Sequence, residues 1–217
     1  RDPVTVWASG AGVGAVQVVS TVDLLDSIPE GETGHWMPQI VDVERLAAIR
    51  AAKYRPSKVI RIAHAPTDRL VKGTKHVEAV IRELGKKYPV QPVIIERVSW
   101  DRCLARKATA DIYIDQFELG YGNNSLEAWA MGMPVIVGAA PPILARMRRE
   151  YRRKVLPFYE ATAETLHDRL EELVKSPELR AEWARRGMEH VMRFHSQEAV
   201  VARLNALWAT VPPSNGG

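Results

Sequence analysis

The stretch Gly120-Tyr-Gly-Asn-Asn-Ser-Leu-Glu127-Ala-Trp-Ala-Met-Gly-Met-Pro134-Val-Ile-Val137 decides the fold. A glycine-containing loop runs into a short helix with a glutamate in its first turn, the helix stops at Gly132, and a buried-type strand, Pro134 to Val137, follows at once. Loop amides and a helix N-terminus together form an anion site. A carboxylate one turn inside can accept hydrogen bonds from two neighbouring sugar hydroxyls, a combination suited to a nucleoside diphosphate and its ribose. A plainer reading stays open on these residues alone. Asn124 serves there as an ordinary N-cap with Glu127 at N3 in a capping box, Gly132 as a C-cap and Pro134 as a helix stop.

The flanking sequence favours an α/β domain. Val59 to Ala63, Val93 to Ile95 and Asp111 to Asp115 read as strands, separated by helices over Thr74 to Lys87 and Trp100 to Ala108. Val77, Val80, Ile81 and Leu84 share one face of the first helix. Strands alternating with helices imply right-handed crossovers and a parallel, Rossmann-like sheet covered on both faces. Downstream, Leu166, Leu170, Leu173 and Val174 form one helical stripe, Pro177 opens a further helix, and a last helix follows Ser196. We divide the chain into three parts. Residues 1–57 are the remnant of an N-terminal domain plus a linker, 58–195 the Rossmann-like domain, and 196–217 a terminal helix with a frayed tail.

Composition narrows the class. In 217 residues the hydrophobic share is 46%, ample for a core. No apolar run is long enough to span a bilayer. The single cysteine, Cys103, excludes an internal disulfide and a cysteine-rich zinc site, and it fits a cytoplasmic setting. The six histidines are scattered, so no metal is expected. The net charge of +4 and a pI near 9.3 permit an anionic substrate or an anionic membrane surface. Arg146, Arg148, Arg149, Arg152, Arg153 and Lys154 form a basic cluster. Its default reading is a solvated helix face, with peripheral membrane contact as the alternative and no nucleic-acid module to accompany the charge.

Open parallel sheets bind ligands at the carboxyl ends of their strands. After the first main strand comes His64-Ala-Pro-Thr-Asp-Arg69-Leu-Val-Lys72-Gly73-Thr74, with two cations just before a helix. They match a diphosphate in charge and placement; the plainer reading is a solvated basic turn with Thr74 as N-cap. Glu96 to Trp100 follows the second strand, either bordering a base pocket or forming a surface loop. Gly10-Ala-Gly-Val-Gly-Ala15 fits a dinucleotide pattern, but no complete βαβ unit or acidic partner accompanies it. A nicotinamide-dependent dehydrogenase therefore rests on those residues alone.

Three blocks resemble the retaining glycosyltransferases of the GT-B fold, glycosyltransferase group 1 or family 4-like, in their C-terminal donor-binding domain. They are His64 to Thr74, Ala110-Asp-Ile-Tyr-Ile-Asp115, and Tyr121 to Val137; a weaker block runs from Val19 to Asp42. The resemblance covers roughly residues 19–208. It implies that Arg69 and Lys72 hold the diphosphate and stabilise the leaving group, and that Glu127 binds the ribose. Gly73, Gly122, Asn123 and Asn124 would meet the phosphate or sugar. It also implies glycosyl transfer from a nucleotide-sugar donor to a hydroxyl of a glycan or lipid-linked acceptor, in polysaccharide biosynthesis. The reaction retains configuration and uses no cofactor and no metal. Two positions depart from the pattern. The first glutamate of the family, eight residues before Glu127, is Leu119 here with Glu118 adjacent, and the cation five residues before Lys72 is Thr67 with Arg69 nearest. Glu118 then takes the sugar-contacting place through a one-residue bulge, or that contact is lost. The alternative is a non-catalytic nucleotide-sugar-binding or interaction module. The 1–57 segment is too short for an acceptor domain, so this chain alone is expected to bind donor without efficient transfer.

Overall fold

The computed structural model describes residues 16–210. Val4 to Ala8, which reads in sequence as a possible strand, the Gly10 to Ala15 pattern and the terminal Pro-Pro-Ser-Asn-Gly-Gly lie outside the described residues. Strands β1 (Gln17–Val19) and β2 (Gly34–Trp36) pair in parallel around a 3-10 turn at Val22–Ser27. Helix α1 (Val43–Lys53) follows. The main sheet is built from β3 (Ile60–His64), β4 (Val90–Ile94), β5 (Ile112–Ile114), β6 (Val135–Val137) and β7 (Tyr159–Glu160). Its spatial order is β4-β3-β5-β6-β7, all parallel. The crossovers are α2 (Thr74–Leu84), α3 (Trp100–Lys107), α4 (Asn123–Ala130) and α5 (Pro141–Tyr151), and α6 (Leu166–Lys175), α7 (Pro177–Phe194) and α8 (Gln197–Trp208) complete the chain.

Strand periodicity sorts the core into two layers. Ile62, Ile112, Ile114 and Ile136 face one side and pack on Val77 and Ile81 of α2 and on Leu170 and Leu173 of α6. Their neighbours Ala63, Tyr113, Val135 and Val137 face the other side and meet Leu104 of α3, Trp129 of α4 and Val191 of α7. Alternate residues of a strand point to opposite faces, so strands buried on both faces become continuous apolar runs, as Ile112–Ile114 and Val135–Val137 are.

The second strand begins earlier than the sequence suggests, at Val90 rather than Val93. Pro92 masks it, because proline cannot donate to a ladder. The topology resolves the conflict: β4 is an edge strand. The Pro89 carbonyl and the Ile95 amide both bond to β3, so odd-numbered residues turn inward and Pro92 turns its nitrogen outward. Two further expectations change. Helix α1 and strand β7 gave no periodic signal; α1 buries only Leu46. The capping-box reading also falls, since the N-cap of α4 is Gly122 and Glu127 sits beyond N3. Likewise Thr74 is the first residue of α2 rather than its cap; Gly73 holds that place with φ 64°, a left-handed conformation that glycine adopts without strain.

Helix α7 reaches Trp129 through a glycine. A Cβ at Gly187 would lie 1.9 Å from Trp129 Cδ1, and Trp129 is fully buried. Gly187→Ala gains up to about 1 kcal/mol of helix propensity, but the overlap forces the helices apart. A net destabilisation toward the upper end of about 1–3 kcal/mol is expected, read as a lower denaturation midpoint. An unchanged midpoint would mean that α7 does not approach α4 at this point.

A buried polar cluster ties the segment before α1 to the end of α7. The His195 Nδ1–H donates to the Gln39 carbonyl at 2.9 Å, which leaves Nε2 to accept from the Tyr121 hydroxyl at 3.2 Å. Tyr121 in turn accepts from Tyr151 at 2.8 Å and from His190 Nε2–H at 3.0 Å. His190 Nδ1 then has no partner. Burial pushes His195 down to about 4, opposed by the Gln39 bond. An imidazole held neutral in the fold contributes stability that is complete above its unfolded value of about 6.5 and lost as pH falls through about 4, roughly 3 kcal/mol over that range. The urea midpoint should fall between those pH values. His195→Asn, which keeps a donor for Gln39, should make the dependence shallower, the remainder coming from the buried His190 and His64, whose pKa values burial also lowers; an equally steep profile in that variant would assign the effect elsewhere.

Candidate functional site

The strand order reverses between β3 and β5, since the chain leaves β3 for β4 on one side and returns to β5 on the other. Crevices of open α/β sheets form at the carboxyl ends of such strands. Here the crevice opens into a cleft of about 1180 Å³, with Thr67, Arg69, Trp100, Asn123, Asn124 and Glu127 on its walls.

The floor is set by a buried ion pair. Asp115, directly after β5, is fully buried and bonds the Lys72 ammonium with one oxygen. Its other oxygen accepts from the Gly122 amide at 3.0 Å and the Ser125 hydroxyl at 2.6 Å. One carboxylate thus fastens the loop before α2 to the start of α4. Burial pushes the Asp115 carboxyl up, but Lys72, Ser125 and Gly122 outweigh it and hold it below the usual carboxylate range. Beside it, the His64 Nδ1–H donates to the Ile114 carbonyl at 2.9 Å, so Nε2 accepts from the Thr74 hydroxyl at 3.0 Å. Burial lowers the His64 pKa, and the ring is a neutral strut between β3, β5 and α2.

Glu127 belongs to a second buried pair. Lys107 closes α3 with a side chain fully removed from solvent. Its ammonium bonds Glu127 and the Asn124 side-chain oxygen, the latter at 2.6 Å. The other Glu127 oxygen accepts from Trp100 Nε1 at 2.8 Å. A carboxylate has about four lone-pair sites, so Glu127 is oriented by its neighbours and still open toward the cleft that it lines.

The two cations of the first loop take different partners. Arg69 is gripped by Glu96 through two bonds of 2.7 Å and by Glu78 at 2.8 Å. Lys72 turns inward to Asp115, and neither Lys72, Gly73 nor Gly122 lines the cleft. Glu118 is exposed and also lies off the cleft walls, while the adjacent Leu119 is 50% exposed and bridges to Ala139. Sequence reasoning assigned no role to Lys107 or Asp115. Lys107 looks like a surface residue in the last turn of an amphipathic helix, and only the packing of α3 on α4 buries it. Asp115 stood at a strand's carboxyl end, a place that deserved a role by itself.

Solved structures resemble the chain at the level of fold. An Anabaena protein, HepE, solved in complex with UDP and glucose, superposes with a TM-score of 0.62 and 11% identity over 90% of this chain and 63% of its own. TarM gives 0.61 and 13% identity, with 95% and 45% covered. A glycosyltransferase from Rickettsia africae gives 0.59 and 16%, with 98% and 67% covered. The chain therefore spans about half to two thirds of the length of these proteins. No family model and no curated protein sequence matches it. The chain has the α/β, Rossmann-like fold of the GT-B glycosyltransferases.

Proposed function

We propose that the domain binds a nucleoside-diphosphate sugar across this cleft, as the donor-binding half of a retaining, metal-independent glycosyltransferase acting on an acceptor hydroxyl. The observation that carries this reading is the placement of Glu127, oriented by Lys107 and Trp100, on the wall of the β3/β5 crevice beside the first turn of α4. In this arrangement Glu127 accepts from the ribose hydroxyls, Trp100 borders the base, and the amides at Asn123 and Asn124 face the phosphate or sugar, while Gly122, its amide held by Asp115, shapes the turn that presents them. Arg69 and Lys72 answer the diphosphate charge by exchanging their present carboxylates for it, with Gly73 allowing close approach. Cations and oriented amides then stabilise the departing diphosphate, the role that a metal fills elsewhere. Glu118, next in sequence to Leu119, is the carboxylate assigned to the transferred sugar, which it meets only by turning in from its exposed position off the cleft walls. HepE, solved with UDP and glucose, supports this class of ligand.

Calorimetric titration with UDP, GDP and ADP, with and without chelator, tests the reading. At least one should bind in the presence of chelator. Failure of all of them, or strict dependence on magnesium, would overturn it. A non-catalytic nucleotide-sugar module is the second reading, favoured by the exposed Leu119 at the place of the first glutamate and by Arg69 being held by Glu78 and Glu96. Donor hydrolysis separates the two: a module binds nucleotide sugar and leaves it intact.

A further inference from the structure

Three helices direct arginines into one hollow remote from the cleft. Arg149 and Arg152 stand at the end of α5, Arg193 in the last turn of α7 and Arg203 on α8. With Glu150 and Phe194 they surround a hollow of about 490 Å³ that shares no residue with the cleft. Elsewhere in the basic cluster, Arg146 and Arg148 are paired with Asp26 and Glu160. In the hollow, Glu150 lies 3.8 Å from Arg149, and Arg152, Arg193 and Arg203 have no ion-pair partner among the described residues. A helix C-terminus attracts cations, which accounts for Arg149, Arg152 and Arg193 one by one but not for Arg203. Nor does it account for arginines from three helices lining the same hollow, where like charges repel.

Two of these groups are held in place before any ligand arrives. Arg203 Nε donates to the Trp36 carbonyl at 2.7 Å and its guanidinium lies 5.0 Å from the Trp36 ring centre; that of Arg193 lies 5.0 Å from the Phe194 ring centre. Arg152 adopts a left-handed conformation, φ 51°, at a cost of about 1–2 kcal/mol that glycine would avoid.

We propose that this hollow is an anion site for a phosphate group, carried either by a soluble phosphate compound or by a lipid headgroup. Guanidinium forks match phosphate oxygens in charge and geometry, and fixed donors reduce the ordering cost of binding. The site is independent of the donor cleft, and the test keeps them apart. Inorganic pyrophosphate is titrated into the wild type, Arg152→Gly/Arg193→Gln and the charge-matched control Arg146→Gln/Arg148→Gln, whose arginines lie outside the hollow, and UDP is titrated into the same three proteins to report on the cleft separately. Vesicles of phosphatidylcholine with and without phosphatidylglycerol are sedimented with the same proteins. The Arg152→Gly/Arg193→Gln double variant should lose the hollow's share of the binding, with pyrophosphate or the anionic vesicles bound there at least about tenfold more weakly per guanidinium removed, whereas the Arg146→Gln/Arg148→Gln control should retain it and UDP binding should be the same in all three proteins. Loss in the pyrophosphate arm alone identifies a soluble phosphate, and loss in the vesicle arm identifies a headgroup. Arg152→Gly relieves backbone strain, so its melting temperature should not fall, and lost binding cannot be put down to unfolding. Binding of neither probe by the wild type, or equal binding by the double variant, overturns the proposal.

Discussion

Glu127→Gln is expected to weaken nucleotide binding by about 1.5–3 kcal/mol, the range for a hydrogen bond to a charged group, and to lower stability by about 3 kcal/mol as well. The sequence alone suggests that stability would barely move. The structure changes that expectation, because Lys107 is fully buried and Glu127 is its only carboxylate partner among the described residues. Removing one partner of a buried pair leaves an uncompensated charge, which costs about 3–5 kcal/mol; glutamine keeps an acceptor oxygen and stays at the low end. The two effects can be separated. Lys107→Met/Glu127→Leu removes both charges, and replacing a buried pair with apolar groups of similar volume is often neutral. That double variant should recover most of the lost stability and none of the affinity. If affinity returns with stability, Glu127 serves the fold rather than the ligand.

Asp115→Ala should have the larger structural effect, about 3–5 kcal/mol or more by denaturant titration. The substitution strands the Lys72 ammonium in a buried place and removes the acceptor from both the Gly122 amide and the Ser125 hydroxyl. Because these contacts join the loop before α2 to the start of α4, nucleotide binding should fall with stability. Asp115→Asn keeps one acceptor oxygen and should lie between the alanine variant and the wild type. A small loss in the alanine variant would show that the loop is fastened by other contacts, with His64 and its bond to Thr74 the first to examine.

The strands and helices with strong periodicity could be read before any coordinates. Ile112–Ile114 and Val135–Val137 are apolar throughout because both faces of the sheet are covered, and α2 shows its buried face at Val77, Val80, Ile81 and Leu84. Glu127 and Arg69 could be placed at the right end of the sheet for the same reason: each follows a recognisable strand. What could not be read depends on pairing across the fold. Lys107 and Asp115 acquire their roles from contacts made by residues 20 and 43 positions away. Helix α1 carries too little apolar periodicity to reveal itself; Arg50 anchors it by donating to the Ala108 and Ala110 carbonyls.

The outward edge of β4 bears on how the domain behaves in crowded solution. Its even-numbered residues turn away from β3. There the Val90 amide is already used by the Tyr88 carbonyl at 2.8 Å, Pro92 has no amide, and the Ile94 carbonyl is covered by Arg106 at 2.9 Å. At the opposite edge, β7 is two residues long. An unpaired, flat border invites strands of other chains to add on, and short or proline-bearing borders discourage this. This sheet offers no such template at either margin, which guards it against self-templated aggregation. Partners are left to engage its side-chain surfaces, where charge and shape rather than backbone pairing decide which of them bind.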